Sequence, residues 1–220
     1  MPRLLLLAAL AASLTASASA QVASLPPRDE GAQDPSFIAF RAKLLTAAAA
    51  RDTSAVLRAF APDATISFGG DSGPEGVRDL WLRPGIERET DFWTALVQTV
   101  SLGSVVQGDI VSAPYYFLAM PEALDPFEHV VVVGEQVRVR SEPTLSGSVL
   151  GSLTYQVVPR APVDGVFETT ADGYTWVPIR LASGERGWIA DTFVRSPVGL
   201  RAGFEKRGST WQILYFVEGD

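Results

Sequence analysis

Acidic residues in the first half of the chain are the first candidates for catalysis. They form two clusters, Asp71, Glu75 and Asp79, followed by Glu87, Glu89 and Asp91. Two carboxylates at a defined separation are enough for glycoside hydrolysis, so the composition leaves a hydrolase open. Most acidic side chains are simply solvated surface groups, however, and sequence spacing does not measure a separation in space. The solvated interpretation is favoured, and we assign no catalytic residue.

A glycine-rich loop offers a second kind of chemistry. Gly70-Asp71-Ser72-Gly73-Pro74 is similar to the loop around the nucleophile of chymotrypsin-like serine proteases, with one glycine missing. That mechanism needs a histidine base beside the serine. His129 follows Ser72 in the chain, whereas that family places its histidine first. Because Gly, Asp, Ser and Pro are the ordinary turn residues, we interpret the segment as a turn.

The cysteine and histidine counts exclude several classes of site. The chain has no Cys and one His among 220 residues. It therefore has no cysteine nucleophile, disulfide or thiolate metal site, and it lacks the imidazoles of most catalytic zinc centres. We interpret His129 as a residue at the start of a strand, beside a carboxylate. No metal or cofactor is predicted.

Aromatic side chains in the second half suggest recognition rather than catalysis. Large amphipathic rings at the rim of a small β-barrel can form a shallow peptide-binding groove. Tyr155, Tyr174, Trp176 and Trp188 are the candidates, with Arg186 as a partner for a ligand carboxylate. A purely structural role stays open for each ring, above all for Trp176 and Trp188.

The first twenty residues have the pattern of a cleaved signal peptide. Arg3 precedes an apolar run, and Ala18-Ser19-Ala20 forms a small-residue cleavage site. The apolar run is shorter than the ~20 residues of a membrane-spanning helix, so we expect no integral membrane segment after cleavage. The predicted location is the periplasm or the exterior. A net charge of −7 argues against binding to nucleic acid.

The sequence divides the remaining chain into two domains, predicting an α+β protein whose first domain is mainly helical. Residues 21–33 read as a flexible leader. Residues 34–128 contain helix patterns over 34–51, 53–60 and 91–100, with one strand at 65–68. Asp34 followed by Pro35 is a helix-start signal.

Short β-rich runs separated by Gly, Pro and Ser turns follow in residues 129–197. Five or six such strands in so few residues predict a small SH3-like barrel. Residues 198–220 contain two more strands joined by Arg207-Gly208-Ser209, which predicts a β-hairpin. Whether this hairpin packs on the barrel or on the first domain stays open.

The stretch from Val137 to Val194 resembles the bacterial SH3 (SH3b) family. The matching blocks, in the family's order, are Val137-Arg138-Val139-Arg140-Ser141-Glu142-Pro143, Val149-Leu150-Gly151-Ser152-Leu153, Trp176-Val177-Pro178-Ile179, Gly184-Glu185-Arg186-Gly187-Trp188-Ile189 and Phe193-Val194. Two features depart from the family pattern. The insertion at 159–174 is long, and Ser183 replaces the Asp before the closing glycine. The whole chain is also similar to a group of uncharacterised secreted bacterial proteins that carry an SH3b module.

The resemblance implies a non-catalytic module that binds peptidoglycan peptides or a protein segment, or that only supports the fold. The papain-like peptidases that often accompany the module need a Cys, which this chain lacks. The leading hypothesis is therefore a non-enzymatic envelope protein with peptidoglycan peptides or an envelope protein as partner. The alternative is a cell-wall hydrolase with catalytic carboxylates in the first domain and the barrel as its targeting module. A structural role for both halves is the third hypothesis.

Overall fold

The computed structural model describes residues 23–88 and 90–219. The predicted signal peptide at residues 1–20 lies outside the described residues. The helices are α1 (Pro35–Ala49), α2 (Thr53–Ala59), α3 (Gly73–Val77), α4 (Phe92–Ser101) and α5 (Tyr116–Ala119). No helix in the described ranges is both long and apolar enough to cross a membrane.

Strand is more abundant than helix in this structure. The strands are β1 (Ala23–Ser24), β2 (Phe60–Thr65), β3 (Val105–Gln107), β4 (Ile110–Ala113), β5 (His129–Val132), β6 (Val137–Arg140), β7 (Val149–Leu153), β8 (Gln156–Pro159), β9 (Thr169–Ala171), β10 (Tyr174–Arg180), β11 (Arg186–Ala190), β12 (Val194–Arg195), β13 (Arg201–Arg207) and β14 (Thr210–Val217). They form three sheets, ordered β2-β14-β13-β4-β3, β1-β8-β5-β12 and β7-β6-β11-β10-β9.

The predicted fold class, a mainly helical first domain followed by a small barrel and a hairpin, is wrong. The structure is mostly β, with 36% strand against 27% helix, and it has three sheets. Helices α1, α2 and α4 lie close to their predicted limits. They cover a five-stranded sheet, however, and two of its strands come from the end of the chain. The short strands β3 and β4 carry too little alternation to be recognised from sequence.

The C-terminal hairpin occupies the middle of the first sheet. Strand β14 pairs in parallel with β2, and β13 pairs antiparallel with β4. Phe204, Ile213 and Phe216 are fully buried in the core that the helices cover. The hairpin therefore belongs to the first half of the structure, which answers the question that the sequence left open.

Helix α1 shows how local sequence supports this core. Asp34 Oδ1 accepts hydrogen bonds from the backbone N–H groups of Ser36 (2.7 Å) and Phe37 (3.3 Å), which caps the helix. The cap fixes where the helix begins. The Phe37 ring then packs edge-on against Phe204 at 5.3 Å and Trp211 at 5.0 Å, so α1 is attached directly to the hairpin.

The second half consists of the other two sheets around a core of aliphatic residues. That core contains Val130, Val132, Val137, Val139, Leu153, Val158, Val177, Ile179, Ile189 and Val194. Strand β5 pairs with β8 and β12, while β11 pairs with β6 and β10. Alternate residues of the paired strands point away from this core.

Residues 23–33, for which the sequence predicts a flexible leader, are ordered and join the two halves. Strand β1 pairs with β8, and the following Leu25 is buried. The backbone N–H of Leu25 donates to the carbonyl of Tyr155 (2.6 Å), and the Tyr115 hydroxyl donates to the Leu25 carbonyl (2.9 Å). Residues 30–33 form a 3-10 helix. Two polar contacts at Leu25 thus tie this segment to both halves.

Phe216→Ala tests the central position of the hairpin. Phe216 is fully buried and its ring lies 5.5–6.2 Å from the rings of Trp81, Phe92 and Phe60. Truncation should lower the free energy of unfolding by about 3–5 kcal/mol in urea denaturation. The control Val149→Ala, at a residue that is 52% exposed, should cost far less. Equal losses in the two variants would contradict the fold.

Alkaline pH should weaken the hydrogen bond from the Tyr115 hydroxyl to the Leu25 carbonyl. Burial raises the pKa of Tyr115 to about 12 from 10.0. The folded protein therefore holds the phenol proton more tightly, so this contribution to stability is present below about pH 10 and is lost as the pH rises through about 12. Urea denaturation across this range should show a shallower decline for Tyr115→Phe than for the parent protein. An identical decline would contradict this assignment.

Candidate functional site

The outer face of the sheet β7-β6-β11-β10-β9 carries the candidate site. Val177, Ile179 and Ile189 are buried in the aliphatic core. Because side chains alternate along a strand, Trp176 and Trp188 lie on the opposite face. The register places Trp188 across from Pro178 on one neighbouring strand and from Arg140 on the other. Aromatic and basic side chains are thus neighbours on this face.

A groove of about 310 Å³ lies at one end of this face. We call it the outer groove, and its lining residues are Glu135, Gln136, Val137, Arg138, Arg140, Leu145, Tyr174, Trp176, Ala190 and Phe193. Three of its apolar side chains face solvent, since Leu145 is 51% exposed, Tyr174 42% and Phe193 45%. Exposed apolar side chains that line one concavity mark an interaction site more strongly than the same residues scattered singly.

The long insertion at 159–174 helps to build the outer groove. Its strand β9 pairs with β10, and the carbonyl of Ala171 accepts a hydrogen bond from Trp176 Nε1 (3.1 Å). Asp172 Oδ2 accepts a hydrogen bond from the backbone N–H of Leu145 (2.8 Å), which fixes the loop after β6. The insertion therefore holds both the buried floor and one wall of the groove.

Trp176 forms that floor and is only 2% exposed. Its ring centroid is 6.1 Å from that of Tyr174, in a tilted arrangement. The indole is immobilised by burial and by its hydrogen bond, while the Tyr174 ring projects to solvent. Trp176 consequently has a structural role first, and Tyr174 is the ring that a ligand can cover.

Arginines give the outer face a local positive character in an acidic protein. Arg138 and Arg140 alternate with the core residues of β6, and Arg180 lies opposite Arg186 at the far end of β10 and β11. Arg140 Nη1 donates to the carbonyl of Gly147 (2.9 Å), so it also supports the groove wall. Arg138 is exposed and lines the groove. A ligand carboxylate would find a guanidinium partner here.

The structure brings only some of the predicted ligand-binding residues together. Tyr174 and Trp176 line the outer groove. Trp188 and Arg186 lie on the same sheet face but outside the groove lining. Tyr155 is elsewhere, in a turn with φ of 47° before β8, with its backbone carbonyl bonded to Leu25.

Sequence reasoning missed several residues of the outer groove. Leu145 and Phe193 come from a loop and a 3-10 helix, where no strand alternation indicates direction. Glu135 precedes β6 in a turn. Arg138 was the detectable one, because it alternates with Val137 and Val139 in a strand that the sequence does predict.

Three carboxylates of the acidic clusters in the first half make local contacts. Asp71 accepts a hydrogen bond from the Ser67 hydroxyl within its loop, and Glu75 pairs with Arg78 at 3.3 Å. Asp91 caps α4, and the Thr94 hydroxyl hydrogen bond holds the pKa of this carboxyl below its usual range. Glu89 lies outside the described residues. No group of three or more potential metal ligands occurs in the described ranges.

Ser72 and His129 are not neighbours in a catalytic arrangement. Ser72 precedes the short helix α3 and is exposed. The ring of His129 contacts the carbonyl of Asp125 through Nδ1 at 2.8 Å, in the turn that leads into β5. Ser72 and His129 therefore belong to two separate turns.

Comparisons with protein-family models, curated proteins and solved structures found no match. The similarity to the SH3b family therefore stays a prediction from the sequence blocks.

Two ring truncations should distinguish the structural floor of the outer groove from its exposed surface. Trp176→Ala removes a buried indole and should cost about 3–5 kcal/mol of folding stability. Tyr174→Ala removes an exposed ring and should cost less than about 1 kcal/mol. Thermal and urea unfolding measure both. A loss of stability in Tyr174→Ala as large as that in Trp176→Ala would show that Tyr174 is part of the core and not a ligand contact.

Proposed function

We propose that this chain is a non-enzymatic recognition protein of the cell envelope that binds an extended, carboxylate-bearing peptide in the outer groove. The peptide is a peptidoglycan stem peptide or a segment of an envelope protein, which share this chemistry. The observation that carries the proposal is the convergence of exposed Leu145, Tyr174 and Phe193 on one groove. The envelope location rests on the signal-peptide pattern.

The groove suits a peptide because it exposes several apolar side chains beside arginines and its floor is fixed. Covering Leu145, Tyr174 and Phe193 would remove apolar surface from water without reorganising the buried Trp176. Aromatic side chains on a rigid sheet lose little conformational freedom on binding. Side-chain pockets of this kind read alternate residues of an extended segment.

The charges favour a ligand with a carboxylate. Arg138 lines the groove, while Arg180 and Arg186 extend the basic surface along the same sheet face. Within the groove lining, two guanidinium groups, Arg138 and Arg140, stand against one carboxylate, Glu135, although the chain as a whole has a net charge of −7. Charge complementarity of this kind contributes to specificity and to the association rate.

The hydrolase alternative receives less support. Asp71 and Asp91 accept local hydrogen bonds within a loop and at a helix start, and Glu75 is paired with Arg78 on the surface. Catalytic carboxylates are expected to face a common substrate cleft. These residues organise their own loop and helix ends instead, so we propose no catalytic role for them.

Co-sedimentation of the mature protein with purified peptidoglycan sacculi tests the proposal, with muropeptide analysis of the supernatant. We expect binding without released fragments. Tyr174→Ala, Phe193→Ala and Arg138→Gln should each weaken binding by about tenfold, as truncations of central interface residues do. Phe127→Ala is the matched control, because Phe127 is 58% exposed but does not line the groove.

A peptide array of envelope-protein termini distinguishes the second source. Binding to array peptides, with the same loss in Tyr174→Ala, would assign the groove to a protein segment. Failure of both assays, or equal losses in Phe127→Ala and Tyr174→Ala, would overturn the groove as the recognition site. Release of muropeptides would instead favour the hydrolase.

A further inference from the structure

A second and larger cavity lies between the two halves of the molecule. We call it the interdomain cleft, and its volume is about 420 Å³. Trp81 and Thr99 line it from the first half, and Asp191 and Arg195 from the second. This volume is in the range of small-molecule pockets. None of these four residues belongs to the outer groove.

A tyrosine lies at the floor of the cleft. Tyr116 lines the cleft and is only 4% exposed. Among the described residues, Gln156 Oε1 is the only fully buried side-chain polar atom without a hydrogen-bond partner, so the Tyr116 hydroxyl is not such an orphaned group. Because Tyr116 lines the cavity, its hydroxyl can donate to a ligand or to water there. Burial also raises the pKa of Tyr116, which keeps the hydroxyl protonated and able to donate.

Thr99 adds a second polar group to the floor. It is 4% exposed, and its hydroxyl donates to the carbonyl of Ala95 at 2.8 Å. The hydrogen of this hydroxyl is therefore used, and its oxygen can still accept. Tyr116 and Thr99 thus present one donor and one acceptor to the same buried space.

The rim of the cleft carries both signs of charge. Arg88 and Arg195 supply guanidinium groups, and Glu168, Asp191 and Glu218 supply carboxylates. Arg195 Nη1 donates to the carbonyls of Asp191, Thr192 and Val194 at 2.7–3.2 Å, which fixes the orientation of the guanidinium plane. A guanidinium held in this way is ready to pair with a carboxylate.

The aromatic ring in the cleft argues against a sugar. The Arg88 guanidinium lies over the Trp81 ring at 3.9 Å, and Phe216 and Phe92 pack against the same indole at 5.5 Å and 5.9 Å. A pyranose ring would need an open aromatic face, and these neighbours cover Trp81. The mixed charges of the rim match a ligand that carries both charges itself.

We propose that the interdomain cleft is a binding site for a small zwitterion, namely a free amino acid or a short peptide with free ammonium and carboxylate ends. The carboxylate pairs with Arg88 and Arg195, and the ammonium pairs with Asp191 and Glu218. The Tyr116 hydroxyl donates to the ligand from the floor. This site is separate from the outer groove and does not depend on its function.

Isothermal titration of the mature protein tests the cleft. The probes are alanine and the dipeptides Ala-Ala, Ala-Glu and Ala-Lys, compared with N-acetyl-Ala-Ala-amide and with chitobiose. We expect saturable binding of at least one zwitterion, and binding of the capped peptide should be weaker by about tenfold, as loss of the charged pairs requires.

Variants locate the binding. Arg88→Gln should weaken it by about tenfold, and Tyr116→Phe by roughly threefold to tenfold, the effect of one hydrogen bond. The matched controls Arg58→Gln and Tyr215→Phe, outside the cleft lining, should bind as the parent does, and so should the groove variant Tyr174→Ala. Circular dichroism confirms that each variant is folded.

Four outcomes would overturn the proposal. They are no saturable binding of any zwitterion, equal binding of the capped peptide, preference for chitobiose, and unchanged binding in both Arg88→Gln and Tyr116→Phe. Tyr174→Ala separates this test from that of the outer groove, since only groove binding should respond to it.

Discussion

The pairing of the last two strands with the first half of the chain is the constraint on which the rest of the structure depends. Strand β14 aligns with β2 and β13 with β4, so residues between α5 and β13 leave the first sheet and must return to it. Burial of Phe204 and Phe216 makes this return favourable, because apolar surface leaves water only when the hairpin closes the core. The second half is therefore connected to the first half at both of its ends. The interdomain cleft lies between the two halves.

Within the second half, strand alternation separates the core residues from those of the proposed recognition surface. Val177 and Ile189 face inward and build the core, while the adjacent Trp176 and Trp188 face outward. The same backbone thus supplies a packed interior and an aromatic, basic exterior. The insertion with Ala171 and Asp172 then converts a flat sheet face into a groove by fixing the floor and the loop at Leu145.

Helix starts could be predicted from the sequence, whereas strand pairings between distant segments could not. Helix starts at Asp34 and Asp91 follow from caps that act within three residues. Tyr174 and Trp176 share a groove because a strand places alternate residues together, which the sequence shows. Tyr155 does not line the outer groove, because it lies in a turn before β8. The segment at Leu25 depends on partners at least 90 residues away, Tyr115 and Tyr155. The fold class failed for the same reason, since the central strands of the first sheet come from the chain end.

The most direct test of the account is hydrogen–deuterium exchange of residues 21–220 with and without soluble stem peptides released from peptidoglycan. The account predicts that added protection is confined to the walls and floor of the outer groove, around Glu135, Leu145, Tyr174 and Phe193. Protection around Asp71 and Glu75, or no change in the groove at saturating peptide, would contradict it.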